Sequence, residues 1–266
     1  MKKIGVWVLW PVVLLLALFA AAAVGCAADQ DDLPAQAQLS AERMFFEAES
    51  GDFTASGNVV IQADGVTFIA PHGTGNVKNK EVHFSDGITV SGDWRGDWLD
   101  LSAGNVSFFF GQTPTYIAEG MVKGILGKLY LDVDKFYMKG ADFSAINVRR
   151  FEDHELDVAF GAKSVKGVVE GGTVTTFTAD GNVWLNGRPN SGGDAVDIRG
   201  DKAVYSVERG SVVMSGNVRA VQKGRTLTAG SLVYFPDNNR IDAYGAQGGP
   251  ASITIDMNRE KQEGRQ

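Results

Sequence analysis

A single cysteine, Cys26, stands in a chain of 266 residues. No intramolecular disulfide can brace the protein, so its β ladder and its core must hold it together. Histidine is almost as scarce: His72, His83 and His154 lie far apart and form neither an HxH nor an HExxH pattern. Zinc hydrolysis and a Ser-His-Asp triad therefore have no basis in this sequence, and solvent-facing roles suit the three histidines better. A Walker-type glycine loop is missing too, which removes nucleotide hydrolysis as a source of energy. Positive charge is not in excess: 25 Lys and Arg stand against 32 Asp and Glu, a net charge of −7. A surface built to neutralise phosphates is thereby excluded, and with it a nucleic-acid-binding role.

What is present begins with one long apolar run. Lys2 and Lys3 precede Ile4–Gly25, which carries no charge, and Cys26 follows at once. Such a segment marks export. Ala23-Val24-Gly25-Cys26 resembles a bacterial lipobox with Ala23 in place of the usual Leu, which makes Cys26 a candidate lipidation site. At about 1.5 Å per residue the same run is long enough to stay uncleaved as a bilayer anchor. Residues 1–26 are thus a signal peptide, a lipoprotein leader or a membrane anchor. Residues 27–38 are small, polar and acidic and read as a tether, and 257–266 read as a frayed polar tail. The folded region expected between them is 39–256, with 39–150 and 151–256 as two possible sub-regions.

Within that region glycine is abundant at 33 residues, and the apolar runs are short and rich in Val, Ile, Phe and Tyr. An all-β protein follows. Gly-Asn-Val recurs at 57–59, 181–183 and 216–218. Each instance sits near the middle of a long β-like run, as do Gly104, Gly200, Gly230 and Gly245. Gly73, Gly87 and Gly120 keep the cadence through the first half, and Gly140 and Gly161 extend it. A glycine inside a strand marks a bend or a close backbone approach. These glycines are read as creases that fold each strand over sideways, while Asp64-Gly65, Lys223-Gly224 and Pro236–Asn239 reverse the chain. Stacked creased strands make two sheets joined along one edge. About a dozen of them, at roughly 4.8 Å each, give a trough about 55 to 60 Å long.

Side-chain alternation assigns its lining. Val196 and Ile198 alternate with Asp197 and Arg199, and Ala203, Tyr205 and Val207 with Lys202, Val204 and Ser206. Val212 and Met214 alternate with Ser211 and Ser215, Ile88 and Val90 with Thr89 and Ser91, and Leu129, Leu131 and Val133 with Tyr130, Asp132 and Asp134; Val106, Phe108 and Phe110 share a face. Periodicity alone also suits an ordinary dry sandwich core. Asp132 and Asp134 share a strand face as a paired-carboxylate candidate, set against a plain solvated face beside Lys128 and Lys135. Arg95-Gly96-Asp97 spells an adhesion tripeptide but reads as a strand-to-strand turn, and Trp94 and Trp98 suit either a trough mouth or packing.

The phrases VVMSGNVRAVQKGRTLTAGSLVYF and FTASGNVVIQADGVTFIA resemble the organic-solvent-tolerance (OstA-like) family of lipopolysaccharide transport proteins, best over 173–250, recognisably over 53–70 and thinly over 112–170. The resemblance implies a β-taco or β-jellyroll with no catalytic residue, no metal and no cofactor. Lipopolysaccharide acyl chains would lie in its interior, and edge strands would pair with other transport components or with a second copy, in the periplasm. The lining set is then Phe68, Ile88, Val90, Val106, Phe108, Phe110, Leu129, Leu131, Val183, Leu185, Val196, Ile198, Tyr205, Val212, Met214, Val218 and Leu227. The crease set is Gly57, Gly104, Gly181, Gly200, Gly216, Gly230 and Gly245. The rival classes are a parallel β-solenoid, as an adhesin or a polysaccharide-active protein, and a structural envelope lipoprotein with a dry core.

Overall fold

The structure is a computed structural model. It describes residues 38–255 apart from 64, 95, 110–112, 155–156, 171–172, 189–193, 236–239 and 247–248. Cys26, the leader, nearly all of the tether, Phe110 and the tail lie outside the described residues.

The described chain is all strand and turn. In order the strands are β1 (Gln38–Ser40), β2 (Arg43–Phe46), β3 (Asp52–Ala63), β4 (Val66–Asn76), β5 (Glu81–Ser85), β6 (Ile88–Trp94), β7 (Asp97–Ala103), β8 (Asn105–Phe109) and β9 (Thr115–Leu126). They continue with β10 (Leu129–Lys139), β11 (Asp142–Asp153), β12 (Val158–Glu170), β13 (Thr173–Gly187), β14 (Val196–Ser206), β15 (Ser211–Gln222), β16 (Arg225–Phe235), β17 (Arg240–Tyr244) and β18 (Ser252–Ile255).

Registers reduce these to a simple meander. β5 and β6 both pair with β4, through His72↔Ser85 and Ile69↔Thr89, so they are two halves of one strand broken at Asp86-Gly87. β7 and β8 likewise share β9 and are broken at Gly104, β1 and β2 share β3, and β17 and β18 share β16. With the split pairs joined, the meander has fourteen long strands, each antiparallel to the one before it. At roughly 4.8 Å per spacing it is about 60 Å long. A parallel solenoid is excluded, because every strand pairing among the described residues is antiparallel.

Each long strand crosses the fold and bends once near its middle. Registers slip there, between Ser56 and Val59 on β3, Asp180 and Val183 on β13, and Ser215 and Val218 on β15. The residues that slip are the Gly-Asn pairs. Gly57-Asn58, Gly181-Asn182 and Gly216-Asn217 all have both φ angles positive, between 48° and 79°. Two successive left-handed residues suit glycine, and asparagine more than most other side chains. Gly120-Met121 takes the same conformation with methionine in the asparagine place.

Facing strands crease differently. Gly104 and Gly120 cross so closely that a Cβ on Gly104 would lie 3.2 Å from the Gly120 Cα, and a Cβ on Gly200 would lie 2.7 Å from Met214 Cγ. Gly161 marks the crease of β12. Gly140 does not mark one: it sits in the β10–β11 turn with φ +57°, and the bend of β10 falls at Asp134 instead.

The bend divides the sheet into two halves that face each other. One carries the first half of β4, β6, β7 and the second half of β9; the other carries the second half of β4, β5, β8 and the first half of β9. Aromatic contacts span the gap. Phe68 meets Phe108 edge-on at 6.5 Å between ring centroids, and Phe160 meets Phe177 at 5.8 Å. The core is the inner face of this folded sheet, running continuously from Ala55 to Leu232.

Candidate functional site

Among the described residues the inner face is the large apolar surface that strand alternation builds, and cross-strand registers order it into rows. In one half the row runs Leu39, Ile61, Phe68, Val90, Leu101, Gly124, Leu131, Phe151, Phe160, Leu185, Ile198, Ala220, Leu227 and Ile253. In the other half a row runs from Met44 through Ala55, Gly73, Phe84, Val106, Ala118, Phe136, Ala145, Val165, Ala179, Ala203 and Met214 to Leu232 and Ala243.

Every described member of the expected lining set lies on this face. Ile88, Val90, Val106, Phe108, Leu129, Leu131, Val183, Val196, Ile198, Tyr205, Val212, Met214 and Val218 are buried, and Phe68, Leu185 and Leu227 pack against them partly buried. Sequence reasoning missed the inward residues of the middle, among them Val122, Phe136, Met138, Phe143, Phe151, Phe160, Val165 and Phe177. It also missed Asp153, a buried carboxylate placed opposite Leu129 and Val158 at the end of β11. Ser211, taken as outward, is buried.

Burial along the rows is uneven. In the middle, Ala118, Val122, Val133 and Phe136 are completely covered. At the first strand the inward Met44 and Phe46 are 50% and 54% exposed, and at the last strand Ile253 and Ile255 are 59% and 45% exposed. The interior is therefore one apolar surface that is covered at its centre and exposed at both ends. Among the described residues β1 and β2 pair only with β3, and β17 and β18 only with β16, so each end of the described sheet also has a strand edge. Near the last strand, burial pushes the inward Tyr234 phenol up from its ordinary range.

Charged groups lie outside, along the bend. Arg149 donates from Nε to Asp132 Oδ1 at 2.7 Å and from a terminal nitrogen to Asp134, and Asn147 Nδ2 donates to Asp134 Oδ2 at 2.7 Å. The Asn147 bond, and after it Arg149, holds the Asp134 carboxyl below the usual range, while Asp132 and Asp134 raise the Arg149 guanidinium. Lys123 approaches Asp132 at 3.5 Å, and Lys135 pairs with Glu119. The two carboxylates are thus clamped by a cation across the bend and do not form a free acid–base pair. Asn217 repeats the motif by donating to Asp201 Oδ2 at 2.7 Å.

The remaining candidates disperse. Among the described residues no three His, Cys, Asp or Glu come together as metal ligands. His83 shares a 2.9 Å hydrogen bond with Ser107, while His72 faces Asp86 at 3.8 Å and His154 faces Glu152 at 3.9 Å. Gly96 lies just before β7, where its N–H donates to Asp93 Oδ1 at 2.9 Å; residue 95 of the tripeptide lies outside the described residues. Trp98 is exposed on the outer face.

A folded antiparallel meander with a continuous apolar inside is, by architecture, a β-roll. Residues 197–265 match the family described as LptA/(LptD N-terminal domain) LPS transport protein, so the resemblance read in the sequence is borne out over that stretch. No curated protein matches the chain. Among solved structures, the crystal structure of LptH, the LptA homologous periplasmic component of the lipopolysaccharide transport device from Pseudomonas aeruginosa, is 11% identical. The match covers 83% of this chain and 95% of that one, with a TM-score of 0.25. So low a score leaves the architecture to stand on the registers above.

Proposed function

We propose that this protein is a non-catalytic carrier in lipopolysaccharide transport, located in the periplasm, whose folded sheet of about residues 39–256 holds acyl chains against its inner face. The observation that carries the reading is a continuous apolar row open at both ends, in a chain whose last quarter matches the lipopolysaccharide transport family. Burying acyl chains contributes about 0.8 kcal/mol per methylene and requires neither a charged site nor a cofactor. An acidic, histidine-poor chain is compatible with that work.

The ends suit edge-to-edge assembly with another folded-sheet component or a second copy. The first strand, β1 then β2, crosses the fold in one sense; the last, β17 then β18, crosses in the other. Because the strand number is even, a last strand laid against a following first strand is antiparallel, with like halves adjacent. The apolar rows would then continue across the joint. Residues 1–26 would supply attachment to a membrane, through Cys26 or as an anchor.

The test is light-activated crosslinking in the protein's own cells, with a photoreactive residue at Ile198, which is buried on the inner face, and at Asp197, which points outward. Lipopolysaccharide captured at 198 and not at 197 is the expected result. Capture at neither, in folded and exported protein, overturns the carrier reading and leaves a structural β-roll with a dry core.

A further inference from the structure

We infer that Met44 is an oxidation site, at which a hydroperoxide uncouples the edge-to-edge joint between two copies of this chain; this rests on the joint proposed above. Of the six methionines, Met44, Met121, Met138 and Met214 lie among the described residues. Met138 and Met214 point inward and are sealed in the core at 1% and 2% exposure. Met121 is 67% exposed, but it sits at the bend of β9 in the middle of the meander, beside the inward Val122. Among the described residues Met44 alone combines the two properties: it is 50% exposed, and it lies opposite the buried Ala55 at the head of the inward row that ends at Ala243. Its strand, β2, is an edge strand, so in the joint this thioether is where the row passes from one copy to the next.

A thioether is soft, flexible and apolar, which suits a surface that is packed only when a second copy arrives. Until then its sulfur is open to hydrogen peroxide. The peroxide O–O bond breaks and an S–O bond forms; the sulfur gives up two electrons, the peroxide takes them, and its second oxygen leaves as water. The product is a sulfoxide, a polar group where the row needs an apolar one. In the free chain water satisfies the new oxygen, because the site is half-exposed. In the joint it faces apolar side chains that donate no hydrogen bond, and a buried acceptor without a donor opposes association. Oxidation therefore weakens the joint and spares the fold, and joining in turn hides the sulfur. At Met121 the same reaction has no such effect, since nothing is laid over the bend of β9 when edges meet.

The experiment treats the exported protein, isolated from its own cells, with dilute hydrogen peroxide. Peptide mass spectrometry reads the sulfoxide at each methionine, sedimentation velocity reads self-association, and urea unfolding reads the fold. Met257, which follows β18 in the chain, is replaced by leucine throughout, so that the sequence after the last strand adds no second thioether. Met44 and Met121 are expected to oxidise well ahead of Met138 and Met214, and the association constant is expected to fall about tenfold with the urea midpoint unchanged. Met44→Leu should associate like the parent and keep that association after peroxide, whereas Met121→Leu should lose it as the parent does. Methionine sulfoxide reductase should restore the association of the treated parent.

Oxidation of Met44 no faster than that of Met138 overturns the site, as does an equal loss of association in treated Met44→Leu or a lowered urea midpoint in the treated parent. Untreated protein that stays monomeric at every concentration overturns the joint between two copies itself.

Discussion

Gly216→Ala tests whether the bend is held by sterics that only glycine satisfies. Gly216 has φ +75°, and a Cβ there would stand 2.8 Å from the Cβ of Asp201 on the facing strand. The left-handed conformation costs alanine about 1–2 kcal/mol relative to glycine. The Asp201 carboxylate can swing away into solvent, but its Cβ moves only with the backbone of β14. That overlap adds about 1–3 kcal/mol, for a total of roughly 2–5 kcal/mol. Asp201→Gly removes the obstructing carbon, so in that background Gly216→Ala should cost only its conformational share, about 1–2 kcal/mol. Gly96→Ala is the control, since its φ is +93° and a Cβ there would meet nothing within 4 Å. The assay is urea unfolding of the four members of the double-mutant cycle, read at constant m-value. Equal costs of Gly216→Ala in both backgrounds would refute the steric account.

Met121→Asn should stabilise the protein by up to about 1 kcal/mol, seen as a higher urea midpoint, because it places a residue tolerant of positive φ where an exposed methionine now has φ +55°. Acid should weaken the fold through carboxylates whose folded values are depressed: Asp52 by Ser50 and Asn76, Asp134 by Asn147 and Arg149, and Glu152 by Arg150. Their stabilisation is fully present above the ordinary carboxylate range near pH 4 and is lost as pH falls through the lower folded values. Asn147→Gly keeps the positive φ but removes the amide, so stability measured from pH 5 down to 2 should fall less steeply than in the parent; an unchanged slope would show that Asn147 does not set the Asp134 proton affinity.

Legibility in the sequence followed the mechanism of each bend. Where a strand folds through two left-handed residues, the sequence must supply glycine and does best with asparagine beside it, and the bends of β3, β13 and β15 stand out in the text of the chain. A Gly-Asn bend also preserves alternation, as with Met214 and Val218 or Ala55 and Val59, so a period of two carries across it. The facing strands step by three, from Gly200 to Ala203 and from Ala103 to Val106. Those steps remained readable at 196–207, where glycine marks the break. Between 112 and 170 the markers fail. β9 bends at Gly-Met, β11 at Asn147 behind Ile146, and β10 between Val133 and Lys135 with no glycine at all. The inward Phe136 and Phe151 therefore fall out of step with Val133 and Val148 upstream, and Phe160 with Val165 downstream, and most of the centre of the lining went unread.

Cohesion in this fold runs in two directions that depend on different residues. Among the described residues each long strand pairs only with the strand before it and the strand after it, so cohesion along the roll is a chain of nearest-neighbour ladders. Across the roll the two halves meet through inward apolar side chains, as Phe160 meets Phe177 and Phe68 meets Phe108, and the bend joins them covalently in each strand. A substitution at an inward ring therefore loosens the contact between halves without removing a ladder hydrogen bond, whereas a substitution that breaks a bend disturbs both.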